Sequence, residues 1–138
     1  MSLAPNIRLR IVTPTRGVLE EIVDEVQIPG TEGYFGVLPA HTPVLATLQI
    51  GQLWYRQGAR KFFLAVSSGF VEVLPESVLI LADSAESAED IDIDRAAAAK
   101  VRTEAELKGS SSDTDRDRAH YKLVKALTRL DVAKRTRN

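Results

Sequence analysis

Two histidines are the side chains best suited to catalysis in this sequence, and neither has the neighbours that catalysis needs. His41 stands in a short apolar stretch between two prolines. A hydrolase would need a nucleophile and an orienting carboxylate beside it. Ser67, Ser68 and Asp83 are candidates, but the sequence has no G-x-S-x-G elbow. We therefore predict that His41 is structural and forms a hydrogen bond within its own loop.

The sequence contains no standard metal or nucleotide motif. His120 has neither a histidine nor a carboxylate four residues further on. With two histidines and no cysteine in the chain, a zinc site would need at least two carboxylates. The absence of cysteine also excludes a disulfide framework and a thiol nucleophile. The glycines do not form G-x-G-x-x-G or G-x-x-x-x-G-K-[ST], so neither a dinucleotide fingerprint nor a P-loop is predicted.

The segment Ile91-Asp92-Ile93-Asp94-Arg95-Ala96 is the one stretch whose residue types suit phosphate chemistry. Its acidic residues and the alanines that follow are typical of a helix start, where carboxylates cap the first turn. Arg95, together with cations from a second helix, would hold a phosphate chain. The alternative is that these charges only cap the helix and form i,i+4 pairs. The residues alone leave both interpretations open.

Charge is distributed unevenly along the chain. Residues 1–93 contain 6 Lys/Arg and 12 Asp/Glu, a net charge of −6, whereas residues 94–138 contain 12 Lys/Arg and 7 Asp/Glu, a net charge of +5. This asymmetry predicts that the C-terminal part meets an acidic partner, the alternative being a solvated pair of charged helices. A nucleic-acid partner is not predicted, because the net charge is −1 and Tyr121 is the only aromatic neighbour of the basic residues.

The first part of the chain has the pattern of an all-β domain. The whole chain has 138 residues, 44% of them hydrophobic, which is enough for one packed domain or for a small domain with an appendage. Short apolar or alternating runs recur up to residue 82, separated by turn signals roughly every 8–12 residues, as in a β-sandwich or barrel. No apolar run approaches the ~20 residues of a spanning helix. The first residues also lack the apolar stretch of a secretory signal.

The second part of the chain has the pattern of a helical hairpin. Composition changes at Asp83, where we predict a linker to Asp90 and a domain boundary after Ser84, giving units 1–84 and 85–138. A helix capped by Asp90 or Asp92 ends near Gly109, and Ser110 to Asp113 supply the cap of a second helix. Because the connection is so short, the two helices must be antiparallel.

The two predicted helices have different faces. In the first, the predicted inward residues are Ile93, Ala97, Val101 and Ala105. In the second, one apolar face contains Ala119, Leu123, Ala126, Leu127, Leu130 and Ala133. Beside it runs a basic stripe, the predicted partner-binding surface, which contains Arg118, Lys122, Lys125 and Arg129. The hairpin has few large apolar side chains, so their burial stabilises its folded state by only a small margin. We therefore expect its amides to exchange faster than those of the β domain.

Several of these segments, in this order, resemble the epsilon subunits of bacterial F-type ATP synthases. They are the N-terminal run from IRLRIV through YFGVLPAHTPVLATLQIG, the segment SGFVEV, the segment IDIDRA before an alanine-rich helix, and the tail RAHYKLVKALTRLDVA. The resemblance extends over essentially the whole chain. It implies an α+β protein in which an N-terminal ten-stranded β-sandwich is followed by a C-terminal antiparallel α-helical hairpin.

The resemblance also implies a function. Such a subunit is not catalytic and requires no cofactor. It belongs to the central stalk, where it couples rotation to ATP synthesis and inhibits ATP hydrolysis through its mobile helical hairpin. The implied partners are the gamma subunit, the c-subunit ring and the catalytic beta subunits. The implied location is the cytoplasmic face of the bacterial plasma (inner) membrane, reached only through the complex.

A regulatory ATP is a further implication of the resemblance. The matching positions are Glu86, Ile91, Asp92, Arg95, Ala96, Arg102, Lys125 and Arg129. Lys125 stands where similar proteins have arginine, so the charge is kept but the bidentate fork is lost. Two alternatives from other classes stay open on the residues alone. One is a generic binding module with a coiled-coil arm, and the other is a small hydrolase that uses His41 and a serine.

Overall fold

The computed structural model describes the backbone of residues 6–137 and the side chains of residues 6–135. The chain divides into two compact units, Met1–Ser87 and Ala88–Asn138. The strands are β1 (Ile7–Thr13), β2 (Arg16–Val23), β3 (Glu25–Gly30), β4 (Gly33–Val37), β5 (Val44–Leu48), β6 (Gly51–Gln57), β7 (Arg60–Val66), β8 (Gly69–Leu74), β9 (Ser77–Ala82) and β10 (Ala85–Ser87). A 3-10 turn (Ala88–Asp90) and the helices α1 (Ile93–Lys108) and α2 (Asp113–Arg137) follow.

The ten strands form one continuous sheet that folds over on itself as a sandwich. The strand order is β10-β7-β6-β3-β5-β8-β9-β1-β2, and β4 pairs with β3. All pairs are antiparallel except β1 with β9. Strand β3 joins the two layers, because its first half pairs with β6 and its end, at Gly30, pairs with Leu48 of β5. The predicted ten-stranded sandwich is confirmed.

Branched side chains fill the inside of the sandwich. Ile7, Leu9 and Ile11 alternate along β1 and are almost fully buried, as the period-two pattern predicts. Val78 and Ile80 on β9, which pairs with β1, and Val71 and Val73 on β8 continue the same buried layer. The whole core cluster lies between Ile7 and Ala85, so its residues belong to the first unit alone.

One glycine is required by the distance between two strands. Gly69 begins β8 opposite Ala82 of β9. A Cβ atom at this position would lie 1.8 Å from the carbonyl oxygen of Leu81, which is part of the backbone and cannot rotate away. A side chain here would therefore push the two strands apart.

The predicted linker from Asp83 to Asp90 is wrong at three residues, because Ala85–Ser87 form strand β10. The strand pairs with the end of β7, where Ala85 is opposite Val66 and Ser87 is opposite Leu64. The structure thus continues the first unit to Ser87, three residues beyond the predicted boundary at Ser84. The residues of β10 are small or acidic, so the sequence lacks the usual strand pattern here. The strand still forms, because its backbone hydrogen bonds do not require β-branched side chains.

The second unit is a helical hairpin held by small residues. Asp92 caps α1 by accepting a hydrogen bond from the amide of Arg95 at 3.0 Å, and Ser112 caps α2 by accepting one from the amide of Asp115 at 3.1 Å. The buried residues of the two helices are Ala96, Thr103, Ala119, Ala126, Val132 and Ala133. Thr103 donates its hydroxyl to the carbonyl of Ala99 at 2.7 Å, so its buried oxygen is satisfied.

The predicted inward face of α1 is wrong. Val101 is 67% exposed and Ala105 is exposed, whereas Ala96 and Thr103, seven residues apart, are the buried positions. In an alanine-rich helix the apolar pattern repeats on several faces, so periodicity does not select one. The face of α2 is predicted better. Ala119, Ala126 and Ala133 recur every seven residues and are buried, while Leu127 is 39% exposed.

Candidate functional site

His41 has the structural role predicted for it. Its Nδ1 lies 2.6 Å from the carbonyl oxygen of Thr42, which can only accept, so Nδ1 carries the hydrogen. The preceding residue, Ala40, has a φ of 65°, an unfavourable value for a side chain other than glycine. Its amide donates to the carbonyl of Pro75 at 2.8 Å. The loop between β4 and β5 is thus fixed by backbone hydrogen bonds.

At least one of the serines proposed for a hydrolase, Ser67, has a structural role. Ser67 is 1% exposed. Its Oγ lies 2.8 Å from the Ser84 hydroxyl and accepts the Ser84 amide at 2.8 Å. These bonds join the end of β7 to the segment after β9. Ser67 therefore stabilises the sandwich through hydrogen bonds between these two segments.

Among residues 6–135, no group of three or more His, Asp or Glu side chains is arranged to hold a metal ion. Within that same part of the chain, neither helix combines the length and apolar character needed to span a bilayer.

Six cations of the hairpin lie on one side of it. Arg95 and Arg102 each immediately precede a buried residue of α1, and Arg118 and Lys125 each immediately precede a buried alanine of α2. In an antiparallel pair of right-handed helices, the residue before an inward position lies on the same side in both helices. Lys122 and Arg129, three residues after Ala119 and Ala126, lie on this side too. We call Arg95, Arg102, Arg118, Lys122, Lys125 and Arg129 the basic side.

One ion pair crosses between the helices on the basic side. Lys122 Nζ lies 3.6 Å from Glu106 Oε2, and it fixes the level of one helix against the other. At this register Thr103 lies near the level of Ala126, and Arg102 therefore near Lys125 and Arg129. Arg129 is half-buried. By helical geometry, the cations predicted from both helices lie on one side of the hairpin.

The residues predicted for ATP binding fall on both units. Glu86 lies in β10 of the first unit, opposite Ala65. Ile91 and Ala96 are buried in the second unit, at 3% and 0% exposure. Asp92 is the helix cap, and its carboxylate is occupied by the Arg95 amide. The Arg95 side chain is exposed on the basic side.

The sequence prediction missed an apolar face on the outside of the sandwich. Leu45 of β5, Phe70 of β8 and Leu81 of β9 are 80%, 62% and 47% exposed. Phe70 pairs with both Thr47 and Leu81, so these side chains are neighbours on one surface. We call Leu45, Phe70 and Leu81 the apolar face. Its sequence signal is clearest in β9, where Val78 to Ala82 are all apolar, whereas a half-exposed strand would alternate.

A cluster of charged side chains lies on β1 and β2, at the end of the sheet formed by β2. Glu20 on β2 accepts a hydrogen bond from Arg8 Nη2 at 2.7 Å and lies 3.6 Å from Arg10 Nε, both on β1. The hydrogen bond from Arg8, and then the charges of Arg8 and Arg10, lower the pKa of the Glu20 carboxyl. All three side chains are at least half exposed, so this cluster orders a surface without forming a site.

Two sequence profiles together match almost all of the chain. Residues 6–88 match the family described as "ATP synthase, Delta/Epsilon chain, beta-sandwich domain", and residues 89–134 match "ATP synthase, Delta/Epsilon chain, long alpha-helix domain". The chain belongs to the ATP synthase epsilon chain family. The ATP synthase epsilon chain of Syntrophobacter fumaroxidans is 46% identical over 134 residues, which cover 97% of this chain and 100% of the relative. That of Nitratidesulfovibrio vulgaris strain DP4 is 49% identical, over 92% of this chain and 95% of the relative.

Solved structures show the same fold in this epsilon-family chain and in rotary complexes. One is a chain of the OSCP/F1/c-ring of the Euglena gracilis mitochondrial ATP synthase, which matches with a TM-score of 0.78 and 24% identity, over 100% of this chain and 85% of that one. A second is a chain of the central stalk and c-ring of the Tetrahymena thermophila mitochondrial ATP synthase, with a TM-score of 0.57 and 14% identity, over 96% of each chain.

Proposed function

We propose that this chain is the central-stalk epsilon subunit of a proton-translocating F-type ATP synthase, in which it is not catalytic. It couples rotation of the c ring and gamma subunit to ATP synthesis, and its hairpin inhibits ATP hydrolysis. The observation that carries the proposal is the division into a well-packed strand unit with an apolar face and a cationic hairpin closed by small residues.

The sandwich serves as the anchor. Leu45 and Phe70 expose large side chains that a monomer gains nothing by leaving in water, and a contiguous exposed apolar surface is typical of a protein interface. The implied partners are the gamma subunit and the c ring. The likeness of the fold to chains in complexes that contain F1, a central stalk and a c ring supports this assignment.

The hairpin serves as the brake. Its basic side presents arginine and lysine from both helices, which suits an acidic surface of the catalytic beta subunits. Its interface contains Ala96, Ala126 and Ala133, whose burial removes little apolar area from water. The free energy that holds the helices together is therefore small enough for the partner surface to compete with it.

Reconstitution with the catalytic head and gamma subunit tests the brake. ATP hydrolysis with the full chain is compared with hydrolysis with a chain truncated after Ala88, which keeps the entire sandwich core. Truncation should raise the hydrolysis rate. The matched full-length variant Arg118→Gln/Lys125→Gln should raise it part of the way, whereas Lys134→Gln/Arg135→Gln, which lie off the basic side, should not. Equal rates for all four chains would refute the inhibitory role.

A regulatory ATP on the hairpin is the second part of the proposal. Arg95 and Arg102 are about 10 Å apart along α1, and Lys125 and Arg129 lie on the same side of the hairpin near this level. Four cations so arranged suit a triphosphate, with Ile91 and Asp92 nearby at the start of α1. The positive charges of these residues therefore complement the negative charge of ATP. Lys125 offers a single ammonium group, where an arginine would offer a bidentate guanidinium.

Calorimetry tests the ATP proposal without relying on activity. Mg-free ATP should release heat on binding to the full chain, and Arg95→Ala should reduce it strongly. Arg116→Ala, an exposed arginine outside the basic side, is the control. The absence of heat at millimolar ATP would end this part of the proposal. It would leave the brake untouched, because the brake depends on a protein surface.

The proposed location follows from the proposed complex. The relatives reported above are bacterial chains, and their complexes act at a membrane. We propose a peripheral position on the cytoplasmic face of the bacterial plasma (inner) membrane, held there through the other subunits. Fractionation of cells should find the chain with membranes when the complex is intact. A chain that stays with the membranes after the catalytic and stalk subunits are removed would contradict this.

A further inference from the structure

A cleft opens at the turn that joins the two helices of the hairpin. It has a volume of about 360 Å³ and lies between the last turn of α1, the connecting turn and the first turns of α2. Ser110 and Ser111 line it from the connecting turn, and Arg118 and Lys122 of the basic side line it from α2. Among the described residues, none of those proposed for ATP binding lines this cleft. It is therefore a separate place where hydroxyls and cations meet.

The three serines of the turn differ in what their hydroxyls do. Ser110 Oγ donates to the carbonyl of Glu106 at 2.8 Å, and Ser112 Oγ accepts the amide of Asp115 at 3.1 Å. Both bonds go to backbone groups and fix the end of one helix and the start of the other. Ser111, between them, is exposed and lines the cleft. Its hydroxyl can therefore be modified without the loss of a helix cap.

The charges that face the cleft are two cations and two acids. Lys122 Nζ lies 3.6 Å from Glu106 Oε2, in a pair exposed enough to contribute little. Arg118 lines the cleft and forms no ion pair with any of the side chains that the structure describes. Asp115, three residues before Arg118, lines the cleft as well and would oppose an incoming anion. A free anion therefore gains little by entering.

A phosphate attached to Ser111 is in a different position from a free one. Because it is tethered beside the cleft, its local concentration is high, and it can replace Glu106 at Lys122 and reach Arg118. It has a charge of about −1.5 to −2 and three strong acceptor oxygens, whereas a carboxylate has a single charge. A guanidinium can bind it through two parallel hydrogen bonds. The cleft therefore suits a tethered phosphate better than a dissolved one.

We propose that Ser111 is a phosphorylation site and that its phosphate is bound by Arg118 and Lys122. The phosphate holds the connecting turn to α2 and so strengthens a hairpin whose interface consists of small residues. This modification goes beyond the proposed function and does not depend on it, because it follows from the residues of the cleft.

The sequence after Ser111 favours one class of modifying enzyme. Asp113, Asp115 and Asp117 follow it at every second position, which suits a protein kinase with a basic substrate groove. In the transfer, the bond between the γ-phosphorus of a nucleoside triphosphate and its bridging oxygen breaks, and a bond from that phosphorus to Ser111 Oγ forms. The nucleoside diphosphate leaves, and the hydroxyl proton passes to the base of the kinase.

The first test compares the full chain with and without genetically encoded phosphoserine at position 111. At low salt the phosphate should slow hydrogen exchange of the Thr103 and Ala119 amides about twofold to fivefold. In Arg118→Gln/Lys122→Gln the same phosphate should leave these rates unchanged. The pKa of the phosphate, followed by phosphorus NMR, should lie below its ordinary value of about 6 and return toward it in the double variant.

Thr114→phosphoserine is the matched control. Thr114 is exposed at the start of α2 and does not line the cleft, so a phosphate there shares only the general advantage of an anion near a helix start. Its effect should not depend on Arg118. Asp115→Asn should increase the effect of the phosphate at position 111, because the opposing acid is removed. Equal effects at both positions, or an effect at position 111 that survives Arg118→Gln/Lys122→Gln, would overturn the proposal.

The second test distinguishes a modified serine from a bound phosphate ion. Inorganic phosphate at millimolar concentration should not shift the amide NMR signals of Ser111 and Ala119 in the unmodified chain. Mass spectrometry of the chain isolated from the cells that naturally produce it should find phosphate on Ser111. Saturable binding of inorganic phosphate would assign the cleft to a free anion and overturn the modification. The absence of phosphate on Ser111 in both growing and starved cells would overturn it as well.

Discussion

The two units of this protein use different means to bury their residues. The sandwich encloses large side chains such as Leu9, Ile28 and Ile80, each worth about 1.5–3 kcal/mol on burial. The hairpin encloses mainly alanines, so its helices approach closely while little apolar area leaves water. From this comparison we expect the sandwich to fold independently and the hairpin to be held more weakly.

The two units also differ in the chemistry of their exposed surfaces. The sandwich exposes large apolar side chains on the apolar face, whereas the hairpin exposes charge on the basic side. Salt does not screen apolar contacts, whereas it largely screens attraction between exposed charges that are more than about 8–10 Å apart at physiological ionic strength. A permanent attachment through the first unit and a reversible one through the second would therefore respond differently to salt.

The largest expected effect is on the sandwich. Gly69→Ala should lower the free energy of unfolding by about 3 kcal/mol or prevent folding, because its Cβ would strike the Leu81 carbonyl. Urea unfolding followed by the fluorescence of Trp54 measures the change. Gly36→Ala is the matched control on β4, since its Cβ would lie 3.5 Å from the Gln27 side chain, an ordinary contact. Similar losses in both variants would contradict this explanation.

Hydrogen exchange of the isolated chain compares the two units directly. Amides of α1 and α2 should exchange about tenfold to a hundredfold faster, after correction for intrinsic rates, than those of β1, β8 and β9. The reason is the smaller apolar area that the hairpin buries. Equal protection of the helices and the central strands would mean that the hairpin is not a separate, weaker unit.

Overpacking should affect the hairpin and spare the sandwich. Ala126→Leu adds a large side chain where Ala126 is 3% exposed, and should destabilise the helices by about 1–3 kcal/mol. Helical circular dichroism during heating would show an earlier first transition with an unchanged second one. The same substitution at Ala98, an exposed position of α1, should leave both transitions in place. A stabilised Ala126→Leu hairpin would show that the small-residue interface is loosely packed.

The ion pair between the helices should contribute little. Lys122 and Glu106 keep 51% and 41% of their side chains exposed, so a double-mutant cycle with Lys122→Gln and Glu106→Gln should give a coupling of about 0.2–1 kcal/mol. Thermal unfolding of the four chains at low and high salt provides the measurement. A coupling that survives at 1 M salt would contradict the assignment of this pair as an exposed one.

The smallest effect concerns Glu20. Arg8 and Arg10 lower its pKa, so the folded state gains stability from this group above the pKa of the unfolded chain and loses it as pH falls through the lower, folded value. Arg8→Ala should raise the pKa of Glu20, as followed by NMR of the side-chain carboxyl, with little change in the unfolding midpoint at neutral pH. Arg16→Ala on β2 is the control, because Arg16 is not among the residues that shift this pKa. An unchanged titration of Glu20 in Arg8→Ala would contradict the role of the hydrogen bond.

The sequence alone was enough to predict the strand-rich first part, the two helices of the second part and most of the ends of these elements. The alternation of Ile7, Leu9 and Ile11 indicated a half-buried strand. The predicted caps were Asp90 or Asp92 for the first helix and Ser110 to Asp113 for the second, and the structure has them at Asp92 and Ser112. These features depend on contacts between residues close in sequence, so local patterns suffice. The basic residues of α2 were found in the same way, through their helical spacing.

Tertiary structure decided what residues distant in sequence do together. β10 is a strand only because β7 offers it an unpaired edge, and Ala96 rather than Ala97 is inward only because α2 packs on that side. The apolar face joins residues of β5, β8 and β9, which meet through strand order. A sequence fixes the chemistry of each side chain. Which side chains share a surface depends on long-range pairing, since the same local pattern is compatible with several partners.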